Sequence, residues 1–165
     1  HSHERVFLVE VMGRNSGFIA LDVAIAGGAE GALIPEDHGD WDKVLNHFNN
    51  SKRRKKSFSI IVVAEGDEQG GALILEKKLT SMYPDLKIRS TILGHVQRGG
   101  SPSARDRILA SRLGSEAINA LLEGQSSVTV GIVCDKVVYT PFEQAIEGKK
   151  TVSESLIKLA EILSI

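Results

Sequence analysis

Residues suited to binding an anion lie in a glycine-bearing segment near the start of the chain. Residues 10–17 join an apolar run to a helical pattern, and they place Gly13 directly before Arg14. Free N–H groups at the start of a helix, together with a guanidinium, suit an anionic and phosphorylated ligand. A glycine turn with a solvated arginine explains the same pattern equally well, so the segment is a candidate only.

A second candidate is Glu65, which directly follows the apolar run 60–64. A carboxylate in that position can accept a hydrogen bond from a hydroxyl group of a polyol. A helix N-cap or a solvated loop acid is the alternative interpretation.

A third candidate segment carries three cationic or titratable side chains within ten residues, Arg89, His95 and Arg98. His95 and Arg98 follow an apolar run and precede two glycines, which let backbone approach a ligand closely. A phosphate monoester is a dianion that takes several charge-assisted donors, so this combination suits it. A structural histidine with two surface arginines is the alternative.

The elements around these segments follow a regular alternation of short β-rich runs and helical patterns. Strands are predicted near 6–9, 32–34, 60–64 and 88–93, with helices between them, and Ser16 is the expected N-cap of the first helix. This alternation is typical of a parallel sheet covered by helices on both faces. Ligands bind at the carboxyl ends of strands in such sheets, so we expect the three segments at one edge.

Further along, a helix is predicted from Ser103, followed by two short strands that meet at Asp135. A capping-box pattern at 151–154 predicts the start of a last helix.

Composition restricts the classes of partner. The chain has 165 residues, 42% hydrophobic, and its 20 Lys and Arg nearly balance its 21 Asp and Glu. These values describe one ordinary soluble domain or a piece of something larger, with no overall attraction for nucleic acid or anionic lipid. The basic run 52–56 lacks the interleaved aromatic residues of a nucleic-acid site.

Targeting signals and cysteine usage indicate the expected location of the protein. No apolar stretch approaches 18 residues, and the first residues lack a signal-peptide layout, so neither a membrane span nor export is expected. The single cysteine, Cys134, can form neither an internal disulfide nor a cysteine zinc site. A reducing, cytoplasmic location is expected, with no metal bound by this chain.

Five sequence segments, taken together and in order, carry a resemblance to a known family. They are EVMGRNSGFIAL, GGAEGALIPE, IIVVAEG, ILGHVQRGGSPSARDRILASRLG and AEILSI. In this order they resemble the C-terminal half of an ATP-dependent 6-phosphofructokinase of the bacterial type, over essentially the whole chain. The resemblance implies a three-layer α/β/α fold with a mostly parallel sheet.

The resemblance also implies roles for individual residues. Arg14 would stabilise charge on the γ-phosphoryl group during transfer, in addition to its contact with the sugar. Arg5 and Arg89 would reach the sugar phosphate across a subunit interface. Glu30, Arg54 and Lys56 match an allosteric site for a nucleoside diphosphate or phosphoenolpyruvate, although a solvated run of charge is common at such positions. The residues implied to contact fructose 6-phosphate are Met12, Gly13, Arg14, Glu65, His95 and Arg98.

By the same resemblance, residues 1–97 form a fructose 6-phosphate lobe, 98–148 belong to the ATP lobe, and 149–165 form a helix that returns to the first lobe. The ATP loop, the magnesium segment and the catalytic base have no counterpart in the chain, so Mg²⁺ and ATP are expected only in the intact enzyme, a homo-oligomer and by implication a tetramer. The chain alone is expected to be inactive. Two alternatives stay open: a free-standing module for a sugar phosphate or an effector, and half of a pyrophosphate-dependent phosphofructokinase.

Overall fold

A computed structural model describes residues 5–38, 40–54, 58–148 and 150–163. The chain divides into two units, one formed by the residues up to Gly99 together with those from Thr151 onward, and the other by Gly100–Lys150. Within the described ranges, no helix is both long and apolar enough to cross a membrane.

The secondary structure closely follows the predicted alternation of strands and helices. In chain order, the elements of the first unit are β1 (Arg5–Val11), α1 (Phe18–Gly27), β2 (Gly31–Leu33), α2 (Asp40–Arg54), β3 (Phe58–Ala64), α3 (Gly71–Met82), β4 (Lys87–Ile92) and a 3₁₀ helix (Gly94–Arg98). The second unit contains α4 (Ala104–Leu122), β5 (Val128–Val133), β6 (Lys136–Pro141) and α5 (Phe142–Glu147), and α6 (Glu154–Leu163) belongs again to the first.

The first unit has three layers around a parallel sheet with the strand order β2-β3-β1-β4. Leu8 and Ile61 lie on the face covered by α2 and α3, while Val11 and Val62 lie on the face covered by α1 and α6. Burial of each such side chain contributes about 1.5–3 kcal/mol, so the two apolar layers fix the sheet between its helices. The expected three-layer α/β/α fold is confirmed.

Strand order determines which turns meet. The neighbouring strands β1 and β3 continue into helices on opposite faces of the sheet, which makes their carboxyl ends a topological switch point. The register pairs Val11 with Ala64, and Glu10 with Ile92. The segments that follow β1, β3 and β4 therefore leave the sheet at one edge, as the sequence predicts.

Two predicted helix starts are wrong in detail. The N-cap of α1 is Gly17 rather than Ser16, and its N–H donates to the Glu36 carboxylate at 2.9 Å. The helix thus has no side-chain cap, and a carboxylate 19 residues away accepts from the N–H of its N-cap residue. The last helix starts at Glu154, after Ser153, whose carbonyl accepts from two N–H groups of its first turn, so the pattern at 151–154 places the cap too early.

The second unit consists of a long helix, a hairpin and a short helix. The sequence analysis predicted the first two of these and not the short helix, α5. Ser103 and Asp106 form the capping box of α4: the Asp106 carboxylate accepts from the Ser103 N–H at 2.8 Å. The hydrogen bonds from Ser103 lower the pKa of the Asp106 carboxyl below its ordinary value. Among the described residues of this unit, Ala120 is the one buried hydrophobic side chain. The strongly exposed apolar side chains of its helices are Ile108, Ile118, Leu121, Leu122 and Ile146.

Candidate functional site

The site predicted from sequence lies at the edge of the sheet where β1, β3 and β4 end. Residues 12–14 follow β1, Glu65 follows β3, and His95 and Arg98 lie in the 3₁₀ helix after β4. The side chains of Arg14, Glu65, His95 and Arg98 are exposed. Six of the eight residues predicted to bind the sugar phosphate are thus at one edge of one sheet.

Glu65 is bonded directly to the turn after β1. Its Oε1 accepts from the N–H of Arg14 at 2.6 Å and from the N–H of Gly13 at 3.3 Å. Arg14 has φ 54°, a left-handed conformation that costs a non-glycine residue about 1–2 kcal/mol. The charge-assisted bond from Glu65 offsets that cost, so the carboxylate stabilises the conformation of the turn.

The 3₁₀ helix is bonded to the same turn. The Met12 N–H donates to Oε1 of Gln97 at 2.8 Å, and the Leu93 N–H donates to the Glu10 carbonyl at 3.1 Å. The segment carrying His95 and Arg98 is therefore attached to the end of β1 at both of its ends.

The backbone of the turn differs from the sequence expectation. Free N–H groups were expected to bind an anion, but those of Met12, Gly13 and Arg14 donate to Gln97 and Glu65. The N–H of Gly17, at the start of α1, donates to Glu36. An anion at this edge would therefore be bound by side chains rather than by this backbone.

The side chains available to an anion at this edge have no counter-ion among the described residues. The side chains of Arg14, His95 and Arg98 make no ion pair or hydrogen bond there, whereas Lys43 contacts Asp37 at 2.6 Å and Glu161 at 2.5 Å. Two exposed guanidinium groups and an imidazole at one edge of the sheet, without carboxylate partners there, suit a phosphate dianion.

Two predicted residues lie away from this edge. Arg5 begins β1, whose seven residues at ~3.3 Å each place it about 20 Å from Val11. Arg89 lies opposite Phe7 and Lys87 opposite Arg5, so Arg5 and Arg89 share one face of the sheet. Their role at the sugar phosphate depends on a second copy of the chain and stays a prediction.

The structure describes the residues predicted for an effector site only in part. Glu30 precedes β2, accepts from the Ile60 N–H at 2.6 Å, and lines a cavity of about 90 Å³ between α1, β2 and α6. Arg54 is the last residue of α2, and Lys56 lies outside the described residues. The effector assignment stays a prediction.

The loop after Glu65 contains a buried carboxyl, Asp67, which is 7% exposed and accepts from the Gln69 N–H at 2.8 Å. Burial raises the pKa of the Asp67 carboxyl above its ordinary value of 3.8. A raised folded-state pKa means that the favourable contribution to stability is complete below the unfolded-state pKa and is lost as pH rises through the folded-state pKa.

We therefore expect Asp67→Asn, which keeps an acceptor for Gln69, to be more stable than the wild-type chain at pH 7. The difference should shrink as pH falls through the raised folded-state pKa of Asp67 and be lost below about 4, where the carboxyl is protonated in both states. Urea unfolding followed by the fluorescence of Trp41 measures this, with the exposed Asp85→Asn as the matched control. A variant less stable than wild type at pH 7 would show that the charged carboxylate is stabilising instead.

A family model for phosphofructokinase matches residues 1–121 of the chain. The chain belongs to the phosphofructokinase family. It is 50% identical over 164 residues to the ATP-dependent 6-phosphofructokinase 2 of Bacteroides thetaiotaomicron, and this match covers 99% of the chain and 50% of that relative. It is 49% identical to the ATP-dependent 6-phosphofructokinase 1 of Thermus thermophilus, with 99% and 51% covered. The chain thus spans about half the length of the curated relatives it matches.

Solved phosphofructokinase structures share the fold. The enzyme from Saccharomyces cerevisiae superposes with a TM-score of 0.77 at 35% identity, over 99% of this chain and 23% of that one. A pyrophosphate-dependent phosphofructokinase from Marinobacter aquaeolei gives 0.74 at 21% identity, over 96% and 47%, and shows the fold alone. The resemblance inferred from the motifs is confirmed.

Two residues that shape this edge were missed by the sequence reasoning. Gln97 lies between the two predicted residues of the 3₁₀ helix, and Gly66 lies directly after Glu65. A Cβ added to Gly66 would be 1.9 Å from the Arg14 carbonyl oxygen, so only glycine allows the two turns to approach. Both residues stand within the five segments that carry the resemblance, and that position was their only signal in the sequence.

Proposed function

We propose that this chain is the fructose 6-phosphate-binding part of an ATP-dependent 6-phosphofructokinase. The intact enzyme transfers the γ-phosphoryl group of ATP to the 1-hydroxyl of the sugar and forms fructose 1,6-bisphosphate. The observation that carries the proposal is the edge itself, where three hydrogen-bonded segments present Arg14, His95 and Arg98 exposed and without partners among the described residues.

The geometry gives the side chains at this edge different roles. His95 and Arg98 leave the sheet together and supply donors for the sugar phosphate. Oε1 of Glu65 is occupied by the turn, while its Oε2 has no partner among the described residues and can accept a sugar hydroxyl. The Arg14 guanidinium, fixed at a turn bonded on both sides, is placed to stabilise charge on the transferring phosphoryl group.

The phosphoryl donor is proposed to be ATP, because relatives at 46–50% identity are named for ATP while the pyrophosphate-dependent neighbours share 21–23%. We propose that Mg²⁺ enters with ATP. Within the described part of this chain no three His, Cys, Asp or Glu side chains are grouped to bind a metal ion, and no step is assigned to one.

The wider assembly is proposed on the same basis. The division of the chain after Gly99 and before Thr151 supports the assignment of the middle segment to the ATP lobe. The sharing of one face by Arg5 and Arg89 supports their action on the sugar phosphate of a neighbouring subunit in a cytoplasmic homo-oligomer. Glu30, Arg54 and Lys56 are proposed to contact a regulatory phosphate compound.

The experiment that tests the function is a coupled assay of the full-length protein with fructose 6-phosphate and MgATP. Turnover is expected for the full-length protein and not for this chain alone. Turnover with pyrophosphate in place of MgATP would show that the protein is a pyrophosphate-dependent phosphofructokinase. Binding of fructose 6-phosphate without any turnover by the full-length protein would favour a binding module.

Arg98→Ala in the full-length protein is expected to raise the KM for fructose 6-phosphate about 10- to 100-fold and to leave the KM for ATP nearly unchanged. A charge-assisted contact to phosphate is worth about 1.5–3 kcal/mol, which corresponds to that range. Lys77→Ala, which removes an exposed cation from α3, is the matched control and should change neither constant. A raised KM for ATP with normal sugar binding would refute the assignment.

A further inference from the structure

Glu10 is a half-buried carboxylate at the end of β1 that none of the roles described so far uses. It lies on the same face of the sheet as Val6 and Leu8, the face that α2 and α3 cover. A carboxylate in that position needs hydrogen-bond donors, because an ionised group close to an apolar layer is costly without them.

The donor is the beginning of α3. Oε2 of Glu10 accepts from the Ala72 N–H at 2.7 Å, while the N-cap residue of that helix, Gly70, has no side chain to do so. A Cβ added to Gly71 would be 2.8 Å from the same oxygen, which shows how closely the carboxylate approaches this backbone. Glu10, which lies in β1, therefore caps α3, and its carboxylate lies at the positive end of the helix dipole.

This cap closes the loop that carries Glu65. The Glu65 N–H donates to the Val11 carbonyl at 3.0 Å, so the loop starts on β1, and the bond from Ala72 to Glu10 returns its other end to β1. Two adjacent residues of one strand thus determine where the loop begins and where it ends.

The backbone of Glu10 is bonded to the segment that follows β4. Its carbonyl accepts from the Leu93 N–H at 3.1 Å, directly before the 3₁₀ helix that carries His95 and Arg98. Glu10 is hence bonded through its side chain to the first turn of α3, where the loop of Glu65 ends, and through its main chain to Leu93, directly before the 3₁₀ helix.

We infer that Glu10 is a positioning residue for the sugar-phosphate site: its carboxylate caps α3 and thereby fixes the loop that presents Glu65 to the ligand. This inference rests on the proposed function. Glu10 does not touch the ligand, since its carboxylate is occupied by the helix on the covered face of the sheet.

The test compares Glu10→Ala and Glu10→Gln in the full-length protein. Glu10→Ala should raise the KM for fructose 6-phosphate about 10-fold, the scale of a lost charge-assisted bond, with the KM for ATP unchanged. Glu10→Gln should recover most of the wild-type value, because its amide oxygen can still accept from Ala72. Hydrogen exchange should speed up at Ala72 and in the loop 65–70 in the alanine variant.

Asp106→Ala is the matched control, because it removes the carboxylate that caps a helix of the second unit. It should lower stability to a similar extent and leave the KM for fructose 6-phosphate unchanged. An unchanged sugar KM in Glu10→Ala, or equal losses in the alanine and glutamine variants, would overturn the role of Glu10 while the proposed function stands. A wild-type protein that neither binds nor converts fructose 6-phosphate would overturn the proposed function first.

Discussion

Arg14→Ser in the full-length protein is expected to lower kcat by about 10²–10³-fold, with a smaller change in the KM for fructose 6-phosphate. Removal of one preorganised electrostatic stabiliser typically has that effect on kcat. Arg14 is fixed by the bond of its N–H to Glu65, while its guanidinium has no partner among the described residues. A contact that strengthens only in the transition state appears in kcat rather than in KM.

Steady-state kinetics at saturating MgATP separate the two roles proposed for Arg14. Serine is also a non-glycine residue at φ 54°, so the variant removes the guanidinium without relieving the strain of the turn. Asn15→Ser, at the adjacent exposed position, is the control and should retain the wild-type kcat. An unchanged kcat with a greatly raised sugar KM would make Arg14 a binding residue only.

The second large effect is expected at Gly66. A Cβ there would be 1.9 Å from the carbonyl oxygen of Arg14 and 3.1 Å from the Cα of Asn15, and both of these atoms belong to backbone. Gly66→Ala must therefore displace the turn after β1 or the loop after β3. A displacement of about 1 Å at a reacting site can lower the rate 10²-fold, so we expect kcat/KM to fall by at least that factor.

Gly27→Ala is the control for this substitution, because a Cβ at Gly27 would meet nothing within 4 Å. It should be nearly neutral in both stability and kcat/KM. Fluorescence-monitored unfolding of the Gly66 variant distinguishes a displaced but folded site from a general loss of structure. Wild-type kinetics in Gly66→Ala would mean that the two turns do not approach as the structure describes.

Sequence reasoning predicted the strands, the longer α-helices and the position of the candidate site because these follow from local patterns. The apolar run 60–64 is almost wholly buried in β3, and the alternation of strands and helices was enough to place three turns at one edge. Strand ends in a parallel sheet are brought together by the topology, so the site residues could be named before their contacts were known.

The bonds that shape the site could not be predicted in the same way. Met12 and Gln97 are 85 residues apart in sequence, and Glu10 and Ala72 are 62 apart, so no local pattern relates them. The prediction of the α1 N-cap was wrong for a related reason. Ser16 has the right residue type, but the start of the helix is held by a bond from the Gly17 N–H to Glu36, 19 residues further along the chain. A distant acceptor for a backbone N–H group can be identified only once the register of the strands is known.

The interruption of the first unit by Gly100–Lys150 has a consequence for synthesis of the chain on the ribosome. Ile157 of α6 packs on the sheet face that holds Val11 and Val62, and Glu161 of the same helix pairs with Lys43. At 5–20 residues per second, the synthesis of Gly100–Lys150 takes roughly 3–10 s, and α6 is made only after it. During that interval the face stays incompletely covered, so a nascent chain released before α6 carries exposed apolar surface that chaperones and proteases recognise.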